Sequence, residues 1–208
     1  MAISKFPFLS GVSGKIGPIV AYVLNNKQFV RAHTIPRDPK SPAQLAQRAK
    51  VSLVNKGLSP FNKLIKENYG NDSRAYRSLV GKTIKECVVG EYPDLAIDFS
   101  QVLLAEGEVL LPESVTATFL PDTGHLTLRW DPLLPPREQW CQPEDLVNVI
   151  LFHTPSQSLN RSHFIAKRSE GNATVELPND WNSSNTVCWI YFTSRNHDHH
   201  SNSLFVEL

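Results

Sequence analysis

Apolar and polar positions run through this chain in two rhythms. Residues 15–24, KIGPIVAYVL, and 27–35, KQFVRAHTI, are dense in β-branched and aromatic side chains. The pair Asn25-Asn26 between them tolerates the positive φ of a tight hairpin turn. Alternation along the second strand predicts Phe29, Arg31 and His33 on one face, with Val30, Ala32 and Thr34 on the other. Pro36, Pro39 and Pro42 then exclude regular helix until Ser41, which suits an N-cap with Pro42 at the first helical position. The helix predicted over PAQLAQRAKVSLVNKG closes at Gly57. A second starts from Ser59 and Pro60, runs to Gly70 and gathers Phe61, Leu64 and Ile65 into one buried stripe. A third is predicted over 72–88, with Tyr76, Leu79 and Val80 as its apolar face.

From residue 91 the rhythm shortens to two. LAIDFSQVLLAEGEVLLP predicts strands on both sides of Glu106-Gly107, and SVTATFLPDTGHLTLRWDP predicts two around Asp122-Thr123-Gly124. LVNVILFHTP, 146–155, reads as a buried strand, and FIAKRSEGNATVELP as a hairpin around Glu170-Gly171-Asn172. NTVCWIYFTSRN and NSLFVEL supply the last two strands. About seven short strands with regular turn signals mark a β-sandwich. The expected fold class is α+β: an N-terminal β-hairpin plus two or three helices, followed by a mainly antiparallel β-sandwich. The expected division is a basic hairpin and helical module with linking strands over 1–112, and a sandwich domain over 113–208.

The order of strand cues over about residues 114–208 resembles a fibronectin type III or immunoglobulin-like module. HLTLRWDP, 125–132, is similar to its second strand, and CWIYFTSRN, 188–196, to its penultimate one. The N-terminal third resembles an uncharacterised family of bacterial proteins through Gly14, Lys15 and Gly17, then Arg31 and Pro36, then Pro39, Ser41, Ala43 and Gln44, with Gln47 and Arg48 following. That family has Asn where this chain has Asp38. The resemblance extends over the whole chain and implies a fold but no activity. The Pro-x-Ser-x-Ala-Gln string is also similar to one in phage-like proteins, which implies a structural protein of a mobile element.

Composition changes this picture in one respect. With 41% hydrophobic residues over 208 positions, a real core is available. The net charge of +1, however, conceals an asymmetry. Residues 1–90 hold 15 Lys/Arg against 4 Asp/Glu, a net of +11, while residues 91–208 hold 6 against 16, a net of −10. Such a basic half suits nucleic acid, an anionic surface or the acidic half of a neighbouring copy. It equally suits two halves that face each other, or helices solvated by their lysines. Cys87, Cys141 and Cys188 are odd in number and widely spaced, giving neither a disulfide framework nor a zinc knuckle. Apolar runs near the N-terminus are cut by Lys5, Pro7, Gly14, Lys15 and Pro18, so a reduced, cytoplasmic protein without membrane contact is expected.

The most chemical stretch is RNHDHHSNS, 195–203. On a strand, His197 and His199 would share a face and could ligate one metal. In a sandwich the same stretch is the exposed loop before the last strand. A catalytic zinc site needs a third protein ligand, and the sequence places none of His125, His153 or His163 beside it. Neither G-x-S-x-G nor H-E-x-x-H occurs, and SGVSGKIG lacks phosphate-loop spacing. Asp94, Asp98, Glu106, Glu108 and Glu113 read as the solvent face of a hairpin rather than as acid/base pairs. Lys15, Lys27, Arg31, Arg37, Lys40, Arg48 and Lys50 form a basic patch with Tyr22 and Phe29 interleaved. Trp140 and Trp181, in turn-like contexts, offer an aromatic platform for glycans or pack on the rim. The leading expectation is a non-enzymatic interaction or structural protein without a cofactor, joined to a protein partner or to itself through oppositely charged halves. The alternatives are a nucleic-acid or glycan binding module, and a metal-dependent enzyme centred on residues 197–200.

Overall fold

The computed structural model describes residues 2–3, 11–35, 38–70, 73–121, 123–132 and 140–208. The chain forms two compact units, Met1–Pro42 and Ala43–Leu208. The boundary expected at 112/113 falls inside the second. The class is α+β.

The first unit is an antiparallel sheet of β1 (Ala2–Ile3), β2 (Gly14–Ile16), β3 (Ile19–Leu24) and β4 (Lys27–Ala32), in the spatial order β1-β4-β3-β2. Asn25 and Asn26 both take positive φ, 50° and 57°, as the primed turn between β3 and β4 requires. Ala21 is fully buried, and Gln28 ties the sheet to its approach segment by accepting from Gly11 N and donating to Val12 O.

The second unit opens with α1 (Pro42–Leu58), a 3-10 turn at Ser59–Phe61, α2 (Asn62–Tyr69) and α3 (Ser73–Glu86). The short pair β5 (Val88–Val89) and β6 (Ala96–Ile97) follows. Then come β7 (Val115–Leu120), β8 (His125–Trp130), β9 (Leu146–His153), β10 (Ser158–Ser162), β11 (Asn172–Glu176), β12 (Thr186–Thr193) and β13 (Leu204–Val206). These last seven strands make a three-stranded sheet, β11-β8-β7, and a four-stranded sheet, β10-β9-β12-β13.

Period-two patterning explains the layers. Val147, Val149 and Leu151 of β9 and Cys188, Ile190 and Phe192 of β12 face Leu126, Leu128 and Trp130 of β8, forming the core between the sheets. The alternate residues, Ile150, Phe152, Trp189 and Tyr191, face the helices and share a second core with Val54, Leu58, Phe61, Leu64, Ile65 and Leu79. Phe61 is the hub, with its ring 4.7 Å from Phe152 and 5.7 Å from Trp189. β9 and β12 are thus apolar on both faces, because both faces are covered.

Several local expectations change. α1 does not stop at Gly57 but runs through it to the fully buried Leu58. A Cβ at Gly57 would strike the Ile97 side chain, so this glycine permits close packing rather than ending a helix. Ser59 caps nothing with its side chain; it lies inside the 3-10 turn that precedes α2. Of the strands expected on either side of Glu106-Gly107, Ala96–Ile97 forms as β6, far from that turn, and no strand flanks Glu106-Gly107 itself. The segment instead lies against the β12–β13 loop, where Val109 N donates to His200 O at 3.1 Å and Ser203 N to Ala105 O at 2.9 Å. The acidic run is spread accordingly: Glu106 pairs with Lys82 at 2.7 Å, and Asp98 accepts from Ser100 N. Nor is 164–176 a hairpin. Gly171, at φ 69°, passes the chain from the edge of one sheet into β11 of the other. The strand β10 carries too little apolar pattern to predict, since it is a sheet edge whose helix-side residues include Arg161.

Candidate functional site

Strand register decides what the basic residues do. Lys15 pairs with Val20, and Val20 with Arg31, so these three side chains form one row across β2, β3 and β4. On the same face, Tyr22 pairs with Phe29, and Leu24 with Lys27. The rings of Tyr22 and Phe29 stack at 5.6 Å with planes 17° apart. Both are half-buried, whereas Lys15, Lys27 and Arg31 are exposed. A stacked aromatic pair therefore lies between cations at its two ends. Lys40 follows in the loop at φ 48°, its amide donating to Asp38 Oδ1 at 3.2 Å. Arg37 lies outside the described residues. Arg48 and Lys50 sit on α1 in the second unit.

The remaining expected residues do not converge. Trp181 stacks on His153 at 5.2 Å, and Trp140 meets His199 edge-on at 5.0 Å. His153 lies beside Thr186 at the start of β12, whereas His199 follows its far end. The two tryptophans therefore occupy opposite ends of the sandwich. The stretch 195–200 is the loop after β12, with His197, Asp198 and His199 exposed. His197 packs on Phe164 at 4.5 Å, away from the Trp140 side that holds His199. Among the described residues, no three His, Cys, Asp or Glu side chains are grouped to hold a metal.

A cavity of about 410 Å³ opens where α2 leaves the outer face of the four-stranded sheet. Glu67 and Asn68 enter from α2, Asn148 from β9, Tyr191 and Thr193 from β12, and His163, Phe164, His197 and His200 from loops. Its base is Asn148, 1% exposed. Asn148 Oδ1 accepts from Phe164 N at 3.3 Å and meets His163 Nδ1 at 3.2 Å, while its Nδ2 donates to Thr193 Oγ1 at 2.9 Å. Thr193 Oγ1 in turn lies 3.1 Å from His200 Nδ1. Burial lowers the pKa of both His163 and His200; Arg161 adds to the effect at His163, and His197 and His199 at His200. Burial raises Tyr191 to about 12. Glu67 accepts from Arg161 at 2.6 Å on the rim. Phe164 and His197 both have positive φ, 55° and 62°. For a bulky Phe this is a strained conformation held by its surroundings. The sequence showed the histidines, but nothing in it placed His163 beside His200 or tied either to Asn148.

These features define an α+β protein in which a small stranded unit precedes a helix-covered β-sandwich. The chain belongs to a family of unknown function, DUF6266, whose model matches residues 11–207 and so spans both units. No curated protein matches the chain. Among the described residues, no helix is long and apolar enough to cross a membrane.

Proposed function

We propose that this chain is a non-enzymatic interaction protein that engages an anionic partner through the basic face of its first unit. The observation that carries the reading is the row Lys15-Val20-Arg31 beside the stacked Tyr22–Phe29 pair, with Lys27 at the other end. Residues 1–42 hold 6 Lys/Arg against 1 Asp and no Glu, so the unit's field favours anions. Cations flanking aromatic rings suit single-stranded nucleic acid: lysines and arginines take phosphates, and rings accept bases at about 1–3 kcal/mol each. The second unit's three-plus-four strand order supports the resemblance to a fibronectin type III module. A structural role in a mobile element rests on the Pro-x-Ser-x-Ala-Gln string alone.

Fluorescence anisotropy with a labelled single-stranded oligonucleotide over a salt series tests this. Affinity should fall log-linearly with salt, at a slope of about −0.7 per phosphate contact. Lys15→Ala with Arg31→Ala should flatten that slope, and Phe29→Ala should weaken binding at unchanged slope. No binding at low salt would remove nucleic acid as the partner. The charge asymmetry of +11 against −10 between residues 1–90 and 91–208 favours a second partner, another copy of the chain. Light scattering would then show an oligomer that dissociates as salt rises.

A further inference from the structure

We propose that the cavity under the β12–β13 loop is a binding site for a neutral hydroxylated ring, a saccharide unit. The proposal is independent of the basic face of the first unit.

The hydrogen-bond network sets the polarity of the site. Asn148 Oδ1 accepts from Phe164 N–H and can only accept, so His163 must donate from Nδ1. In the neutral ring this makes His163 Nε2 a bare acceptor. Asn148 Nδ2 donates to Thr193 Oγ1, and Thr193 Oγ1 lies 3.1 Å from His200 Nδ1, which we take to accept the hydroxyl proton. Neutral His200 then carries its proton on Nε2 and is a donor. One buried asparagine thus holds two histidines in opposite tautomers, one accepting and one donating.

Charge and shape narrow the ligand. Partial desolvation lowers both imidazoles from the ordinary 6.5, which favours their neutral forms at pH 7, and Arg161 pairs with the Glu67 carboxylate. The groups facing His163 and His200 are Glu67, Arg161, Lys63, His197 and His199; Glu67 is paired with Arg161, which leaves Lys63 as the one further cation among these groups, so the phosphate control below decides whether it selects an anion. The rings of Phe164, His197 and Tyr191 present apolar faces. The volume, about 410 Å³, falls within the usual range for small-molecule sites. Acceptor-only and donor-only groups beside aromatic faces fit hydroxyls, which both give and take hydrogen bonds, on a ring with an apolar C–H face.

Saturation-transfer NMR on the full chain, with a panel of neutral mono- and disaccharides, is the test. Uracil serves as a planar control and glucose 6-phosphate as an anionic one. A neutral saccharide should bind. Its affinity should drop about tenfold or more in His163→Ala, the equivalent of one lost hydrogen bond. Phe164→Gly should lose binding while keeping its fold, because glycine accepts the positive φ. Binding should also fade as pH drops and His163 Nε2 becomes protonated. Absence of saccharide binding at millimolar concentration would overturn the proposal. So would tighter binding of uracil or the phosphate, or binding unchanged in both variants.

Discussion

The buried pair Arg168–Asp145 offers the sharpest stability test. Both side chains are almost wholly inside, at 2% and 3% exposure, with Nε 3.1 Å from Oδ2. Arg168 Nη2 also donates to the Leu110 carbonyl at 2.6 Å, and the guanidinium lies 4.2 Å from the Phe192 ring centroid. Arg168→Met keeps an apolar stem but strips Asp145 of its counter-ion, while Gln142 N still donates to it at 3.0 Å. Breaking one side of a buried pair costs about 3–5 kcal/mol, because the other charge remains buried without compensation. The Leu110 carbonyl also loses its Arg168 donor, so about 4 kcal/mol is expected, a large part of the roughly 5–15 kcal/mol that holds a domain folded. Urea unfolding followed by tryptophan fluorescence measures it. Trp130, whose Nε1 donates to Arg168 O at 2.8 Å, reports on the site, and that bond is to backbone. Arg168→Met combined with Asp145→Leu should recover most of the loss, since no uncompensated charge remains. A single variant within about 1 kcal/mol of the parent, or a double variant as unstable as the single, would refute this reasoning.

Three further outcomes are expected. Gly107→Ala should cost about 1–3 kcal/mol in thermal unfolding and weaken ligand binding in the cavity, because its Cβ would collide with the backbone carbonyl of His200. His163 and His200 titrate below the ordinary 6.5, so the unfolded chain takes up protons first. Stability should therefore fall as pH drops through about 6.5 and level off below the lowered native values, a step that His163→Gln with His200→Gln flattens in melting temperatures taken from pH 8 to 5. Burial pushes the thiols of Cys87 to about 11 and Cys188 to about 12 and raises Cys141, so Ellman's reagent should find none of the 3 thiols in native protein and all of them in denaturant.

Local chemistry alone determined much of this protein. Asn25-Asn26 dictated a hairpin turn, Pro42 the start of a helix, and the period of Phe61, Leu64 and Ile65 a buried face. Each follows from constraints between residues a few positions apart, which a sequence displays directly. Alternation likewise marked β7 and β8, and near-continuous apolar runs marked β9 and β12. The tertiary structure decided the rest. Gly57 reads as a helix stop until Ile97 is seen against it, and Glu106-Gly107 reads as a turn between strands until the β12–β13 loop takes the hydrogen bonds of Ala105 and Val109. Arg168 reads as one arm of a hairpin until Asp145 and Leu110 O are seen to bury it. The basic residues Lys15 and Arg31 became neighbours through strand register, and the cavity joined Glu67, Asn148, His163 and His200 from four separate segments. Such contacts depend on which distant surfaces pack together, and periodicity along the chain carries no record of that.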